Sequence, residues 1–230
     1  MKTYKSLICI AGVLFFNNLL YAESGGNYTF STNEKAYLNQ GYSYFDKGEY
    51  DQAIICFNRA LEINPNSAAA YTLRGAVYGK QGKYDQAITD CSQALRINPN
   101  FAEAYGIRGL TLNDKGEYDT AIADFDRALK INPNLASVYL NRGAAYLAKG
   151  TSMTGLNQAN QALNQAIADF DEVLRIAPNC AEAYSSRAVC HYAKRDYTKA
   201  WIDVHKAKSL GLEIDPEFIK SLRRDSGTNY

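Results

Sequence analysis

Cysteine and histidine are the residues of this chain best suited to bind a metal ion. Cys190 precedes His191 directly, and His205 follows further along the same region. A structural zinc site needs four such ligands at short, paired spacings. The sequence contains no such quartet, so we expect no metal site and no cofactor.

The four cysteines beyond residue 22 are an even number, which would favour disulfides in an oxidising compartment. Cys180 and Cys190 lie near or along one helical segment, where the rise per residue separates them by roughly 15 Å, beyond disulfide reach. Cys56 and Cys91 fall on different helical segments, and Cys91 occupies a core position. We expect free, mostly buried thiols.

Motifs of catalysis are missing from the sequence. It has no glycine-rich phosphate loop, no nucleophile elbow and no metalloprotease helix, and no set of Ser, His and Asp stands out. We therefore expect that the protein is not an enzyme.

Arginine and aspartate recur together at a spacing of about sixteen residues, longer in one case. Both are missing from the first occurrence of the pattern, where Gln40 and Cys56 stand instead. This joint presence and absence predicts an ion pair within each repeat, and the alternative is a ladder of arginines on a binding surface. The pairs are Arg74 with Asp90, Arg108 with Asp124, Arg142 with Asp169, and Arg187 with Asp203.

A repeat with a period of 34 residues positions these pairs. Its most similar phrases are AIICFNRALEINPN at 53–66, AITDCSQALRINPN at 87–100, AIADFDRALKINPN at 121–134 and AIADFDEVLRIAPN at 166–179. Apolar residues at steps of three and four indicate two helices per repeat, separated by a glycine-containing turn and ended by Asn-Pro. A period of this length predicts a solenoid.

One glycine recurs inside the first helix of four repeats, at Gly41, Gly75, Gly109 and Gly143. Glycine within a helix costs about 1 kcal/mol relative to alanine. A position that carries this cost four times predicts a close approach of the paired helix, which we expect the alanines of that helix to line.

The pattern of aromatic, glycine, alanine and proline positions resembles the tetratricopeptide repeat family. The third repeat carries it as Tyr105, Gly109, Leu112, Ala121, Phe125, Ala128 and Pro133, whereas Cys91 replaces an aromatic in the second and the fifth is degenerate. The resemblance implies an all-α, right-handed α-solenoid of five helix hairpins with a C-terminal capping helix. The expected boundaries are 34–67, 68–101, 102–135, 136–180 and 181–214, with the capping helix and tail at 215–230.

The resemblance also implies a non-catalytic scaffold that binds a protein or peptide segment on the concave face formed by the first helices. That face is mostly apolar, and Lys35 alone does not make the family's carboxylate clamp. The alternative is that Tyr42, Phe45 and Leu147 pack locally and partners use another surface. The predicted concave face consists of Leu38, Tyr42, Phe45, Thr72, Ala76, Leu110, Asn113, Leu140, Ala144, Leu147, Ser185 and Tyr192.

The fourth repeat is longer than the others by eleven residues around 151–161. Leu156, Ala159 and Leu163 fall at helical spacing, so the second helix of this repeat either begins early and projects, or the insertion is a loop. A projecting helix would offer a surface to a partner or a second copy. The alternative function is therefore a self-assembly module of the cell envelope, which oligomerises through this insertion or the exposed first repeat.

The N-terminal residues have the pattern of a secretory signal. Lys2 and Lys5 precede an apolar run at 7–20, and Ala22 stands where a signal peptidase would cut. The run is shorter than the roughly 20 apolar residues that span a bilayer, although an uncleaved membrane tether is the alternative. We expect an exported protein, in the periplasm, cell envelope or medium, with a disordered lead at 23–33.

The charge balance bears on the class of partner. Removal of the signal takes away two lysines and no acids, which leaves 23 basic and 24 acidic side chains. Nucleic acid and anionic lipid are held largely by an excess of basic residues. We therefore expect a protein partner and no nucleic acid.

Overall fold

The computed structural model describes residues 31–227, which contain eleven helices and no strand. The predicted all-α class is confirmed, whereas the predicted signal at 1–22 lies outside the described residues. Of the predicted lead, residues 31–33 are described: Ser31 caps the first helix, which includes Thr32. No helix within 31–227 has the length and apolarity to cross a membrane.

The helices follow the repeat. They are α1 (Thr32–Asp46), α2 (Tyr50–Ile63), α3 (Ala68–Lys80), α4 (Tyr84–Ile97), α5 (Ala102–Lys115), α6 (Tyr118–Ile131), α7 (Ala136–Ser152), α8 (Leu156–Ile176), α9 (Ala181–Ala193), α10 (Tyr197–Ser209) and α11 (Pro216–Ser226). Each odd-numbered helix from α1 to α9 packs against the next as a hairpin, giving the five predicted hairpins, numbered 1 to 5. We call α1, α3, α5, α7 and α9 the first helices and their partners the second helices.

Two compact units divide the chain. Hairpins 1 to 3 belong to the unit that ends at Pro133, and hairpins 4 and 5 with α11 belong to the unit that begins at Asn134. Within each unit, the second helix of one hairpin contacts the first helix of the next. First helices of neighbouring hairpins also contact one another, more closely than second helices do among the described residues. The first helices therefore line the inner side of each stack.

A glycine of the first helix holds each of three hairpins in close contact with a phenylalanine of the second. An added Cβ at Gly41 would lie 2.5 Å from Cε1 of Phe57, and one at Gly109 would lie 2.8 Å from Cε1 of Phe125. Both rings are fully buried. The sequence predicted the close approach, but the closest partner is this ring rather than an alanine side chain.

Hairpins 2 and 5 solve the same packing problem with smaller side chains. In hairpin 2 the glycine is Gly75, and Sγ of Cys91 takes the place of the ring, 2.9 Å from the position of an added Cβ. In hairpin 5 an alanine, Ala188, stands at the glycine position and is fully buried. The contact between the paired helices depends on the combined volume of the two side chains that meet there. A larger side chain on one helix is therefore tolerated where the side chain opposite is smaller.

Left-handed residues set the turns within the hairpins. Gly48, Gly82 and Gly116 follow α1, α3 and α5 at φ values of 76°, 74° and 86°, a region that glycine enters without a steric penalty. In hairpin 5 this position is Arg195, at φ 62°. The second helices then begin at a tyrosine, two residues after this position in all four hairpins.

Hairpin 4 has no such turn, because both of its helices are extended. Helix α7 has 17 residues and α8 has 21, whereas the second helices elsewhere have 13 or 14. An added Cβ at Gly150 would lie 3.2 Å from the carbonyl oxygen of Ala159, so the two helices stay packed along the extension. Of the two predicted forms of the insertion, the structure shows the early-starting helix.

Helix α11 closes the last hairpin. Its Leu222 is fully buried and joins a cluster with Trp201 and Val204 of α10. The indole Nε1 of Trp201 donates to Oγ of Ser226 over 3.3 Å. The C-terminal hairpin thus covers its open apolar side with a helix from the same chain, as the end of a repeat stack requires.

Replacement of Gly109 by alanine should lower the free energy of unfolding by about 1–3 kcal/mol, the usual effect of overpacking. The new methyl group would press on Phe125 and on the backbone carbonyl of Ala121, 3.1 Å away, which outweighs the gain of about 1 kcal/mol in helix propensity. Urea unfolding of both proteins measures the difference.

The matched control is Gly79→Ala, where the new methyl would meet only the Thr111 hydroxyl at 3.3 Å. We expect this change to fall within about 0.5 kcal/mol of neutral. Equal stability losses for the two variants would contradict the packing role of Gly109.

Candidate functional site

Each recurring arginine contacts the aspartate of its own hairpin through two parallel hydrogen bonds. In hairpin 2, Nε and Nη2 of Arg74 donate to the two carboxylate oxygens of Asp90 over 2.7 and 2.8 Å. The aspartates are at most 6% exposed. These are the pairs that the sequence predicts, and the others are Arg108 with Asp124, Arg142 with Asp169 and Arg187 with Asp203.

Three of the four arginines also reach the preceding hairpin. Nη1 of Arg74 donates to Oδ1 of Asn58 over 2.6 Å, and Nη1 of Arg108 donates to Oγ of Ser92 over 3.1 Å. Nη1 of Arg187 likewise donates to a carboxylate oxygen of Asp171. The sequence analysis missed these acceptors, although a polar residue at one fixed position of every repeat was a visible signal.

A tyrosine ring completes the environment of each arginine. The guanidinium carbon of Arg74 lies 5.4 Å from the ring centroid of Tyr71, one helical turn earlier, and the other three arginines have the same neighbour. The hydrogen bonds to Asp90 raise the pKa of Arg74 above its ordinary value. Arg74, Arg108 and Arg187 are thus each held by three groups of their own chain, and Arg142 is held by Asp169 and a tyrosine ring. These contacts make the arginines structural rather than a ladder for ligands.

The thiols are shielded rather than reactive. All four described cysteines are free, and Cys56, Cys91 and Cys190 are buried. Burial raises the pKa of Cys190 to about 12, and it raises that of Cys91 further. Because the thiolate is the reactive form, these side chains behave as small apolar groups.

The histidine beside Cys190 has a structural environment. Nε2 of His191 lies 3.9 Å from Oδ2 of Asp203, and burial lowers the pKa of this imidazole despite the carboxylate. His205 stacks on the indole of Trp201 with ring centroids 5.6 Å apart. Within residues 31–227, no cluster of three or more His, Cys, Asp or Glu side chains has the geometry to hold a metal ion.

The residues of the predicted concave face all lie on first helices, at spacings of three or four residues that place them on one stripe of each helix. Because the first helices contact one another within each unit, these stripes lie side by side there. Tyr42 and Ala144 are half-buried and most of the others are buried, with Leu38 and Thr72 1% exposed. Few side chains of the predicted face are therefore accessible to a partner.

Two aromatic residues of this predicted face have partners in their own hairpin or in the cap. The ring of Phe45 lies 5.8 Å from that of Tyr50. The ring of Tyr192 contacts Phe218 edge-on at 5.5 Å, and its hydroxyl donates to Oδ2 of Asp225 over 2.6 Å. Tyr192 therefore attaches α11 to hairpin 5, a contact that the repeat pattern did not predict because α11 lies outside it.

Asn113 is the one residue of the predicted face with an unsatisfied polar group. Its side chain is 9% exposed, and its buried Oδ1 accepts no hydrogen bond. A buried acceptor without a partner costs about 1–3 kcal/mol. A hydrogen-bond donor that reached this atom would recover that cost.

Family models match most of the repeat region. A model described as TPR repeat matches residues 41–82 and 109–150, and three described as tetratricopeptide repeat match 68–101, 91–123 and 155–207. Together they cover 41–150 and 155–207. No curated protein sequence matches the chain.

Several solved structures have the same fold. PilW, described as a widely conserved type IV pilus biogenesis factor, is 20% identical with a TM-score of 0.74, over 86% of this chain and 87% of its own. PilF of Pseudomonas aeruginosa is 23% identical with a TM-score of 0.69, over 79% and 78%. A MamA protein is 24% identical with a TM-score of 0.61, over 80% and 98%.

The ion pair of hairpin 3 should stabilise the fold measurably. Asp124→Ala should lower the free energy of unfolding by about 3 kcal/mol, because it leaves Arg108 partly buried without its counter-ion. A double-mutant cycle with Arg108→Ala should give a coupling energy of about 1–3 kcal/mol in urea unfolding.

The exposed pair Arg59 and Glu62 serves as the control, since both side chains are more than half exposed at 58% and 61%. Its coupling energy should not exceed about 0.5 kcal/mol. A coupling energy of about 0.5 kcal/mol or less between Arg108 and Asp124 would mean that this pair is dispensable to the fold.

Proposed function

The chain belongs to the tetratricopeptide repeat family, and we propose that it is a non-catalytic scaffold that binds a protein or peptide segment along the concave face of its first helices. The observation that carries this proposal is the contact between successive first helices within each unit. This contact brings the apolar and small side chains of neighbouring first helices side by side within each unit. Such a surface fits an extended or helical segment with apolar anchors.

The chemistry of the face limits what the segment can be. Its leucines, Leu110 in the unit that ends at Pro133 and Leu140 and Leu147 in the other unit, are at most 8% exposed and make the base of the face apolar. None of the residues of the predicted face is charged. A partner with spaced apolar anchors therefore fits this face better than an acidic tail.

A non-catalytic role agrees with the state of the reactive side chains. All four arginines form bidentate pairs with aspartates, and Arg74 also donates to Asn58 of the preceding hairpin, so each nitrogen of its guanidinium group already donates to its own chain. Burial raises the pKa of Cys190 to about 12, which suppresses the nucleophilic thiolate. The groups that most often perform chemistry serve here to hold helices together.

We further propose that the protein acts outside the cytosol. The support is the N-terminal pattern of two lysines, an apolar run at 7–20 and Ala22 at the cleavage position. Mass spectrometry of the protein from its host should give a chain that begins at Glu23. A chain that keeps Met1 and fractionates with the cytosol would refute export, while one that keeps Met1 in the membrane fraction would favour a tether.

The concave face can be tested in the native host with a photo-crosslinking amino acid. Placed at Tyr42 or at Ala144, which are half-buried and tolerate a probe, it should form a crosslink to the same partner protein. Mass spectrometry of the crosslinked band identifies the partner and the segment bound.

The matched controls carry the probe at Ile55 or Ile202, which lie on second helices and are 51% and 63% exposed. We expect no crosslink to that partner from these positions. Crosslinks that form only from Ile55 and Ile202 would place binding on the second-helix side and reject the concave face.

A further inference from the structure

The extension of hairpin 4 differs from the rest of the chain in charge. No ionisable side chain occurs from Gly150 to Ala168, although 21% of the residues of the chain are charged. The other second helices begin with a charged residue within their first turns, such as Asp51 in α2 and Asp119 in α6. The extension is instead rich in asparagine and glutamine.

The structure makes this segment a rigid projection. Helix α8 begins at Leu156. In α10 the helix begins three residues before Ala200, and the residue of α8 at the same repeat position as Ala200 is Ala166. A second helix of ordinary length would therefore begin at Leu163. The extra residues add roughly 10 Å of helix by rise. The end of α7 supports them through the contact of Gly150 with Ala159 and Ala162.

The outward side of the projection combines one apolar residue with neutral amides. Leu156 is 81% exposed, the highest exposure of any large hydrophobic side chain in the described residues. Asn157, Gln158, Asn160 and Gln161 are exposed around it. Asn164 marks the inner limit of this surface, because Nζ of Lys194 in hairpin 5 donates to its Oδ1.

We propose that this surface, residues 153–161, binds the same surface of a second copy of the chain. A two-fold interface brings a patch against itself, so the patch must complement its own chemistry. A carboxylate or ammonium group would meet a like charge there, whereas each amide both donates and accepts hydrogen bonds and so pairs with its equivalent. Interface cores are also depleted of charge, and Leu156 supplies the apolar centre.

The small size of the surface sets the strength of the association. The surface 153–161 contains fewer than two helical turns per copy, which bury less than the roughly 800 Å² per partner of a standard interface. We expect a dissociation constant on the order of tens of micromolar. The chain would then be monomeric when dilute and would pair where its local concentration is high. This inference does not depend on the concave face.

Sedimentation velocity of the whole exported chain tests the pairing. The weight-average mass should rise from monomer towards dimer between about 5 and about 500 μM. The triple variant Asn157→Glu, Asn160→Glu, Gln161→Glu should weaken association at least tenfold, and the equivalent triple lysine variant should do the same. Glutamate and lysine are good helix formers, so α8 stays folded, which circular dichroism verifies.

An equal mixture of the two charged variants gives the decisive result. Opposite charges then face each other across the two-fold axis, so the mixture should associate at least as tightly as the wild type. Ile202→Glu, on α10, should leave the wild-type association unchanged. A wild-type chain that stays monomeric throughout would overturn the proposal. So would charged variants that pair normally, or a mixture that remains monomeric.

Discussion

The contact between a helix glycine and a buried phenylalanine ring is the constraint on which the rest of this structure depends. Gly41, Gly109 and Gly143 let the second helix approach so closely that Phe57, Phe125 and Phe170 are fully enclosed. A two-helix hairpin still has too little interior to bury its remaining apolar side, so each must stack on a neighbour. Because the first helices meet on the inner side of each stack, the candidate binding surface is a consequence of how the hairpins pack.

Within each unit, the paired arginines then fix how one hairpin follows the next. The guanidinium group of Arg108 binds the carboxylate of Asp124 in its own hairpin and the hydroxyl of Ser92 in the one before. Apolar contacts allow neighbouring helices to slide past each other, whereas the planar guanidinium group, with its fixed donor directions, accepts only one arrangement of the helices it joins. Hairpin 1 is the first hairpin of the described residues, and in it Gln40 and Cys56 replace the pair. The arginines are therefore best understood as setting the stacking geometry, beyond their contribution to stability.

The features that recur in each repeat could be predicted from the sequence. The five hairpins, the close approach at Gly109 and the pairing of Arg74 with Asp90 follow from comparing one copy with another. The sequence could not predict a feature that occurs once: the contacts of Tyr192 with Phe218 and Asp225 involve α11, which lies outside the repeat. The early start of α8 stayed ambiguous because helical spacing of Leu156 and Ala159 also fits a loop. The degree of burial could not be predicted either. Periodicity shows on which side of a helix a residue lies, but it does not show that Leu38 and Thr72 are almost completely buried.

The central claim is that a protein segment lies along the first helices. Hydroxyl-radical footprinting, read out by mass spectrometry with and without the captured partner, tests it most directly because it reports the accessibility of individual side chains. We expect that the bound partner lowers the labelling of Tyr42 on α1 and leaves the labelling of Ile55 on α2 unchanged. Protection of Ile55 with full labelling of Tyr42 would contradict it.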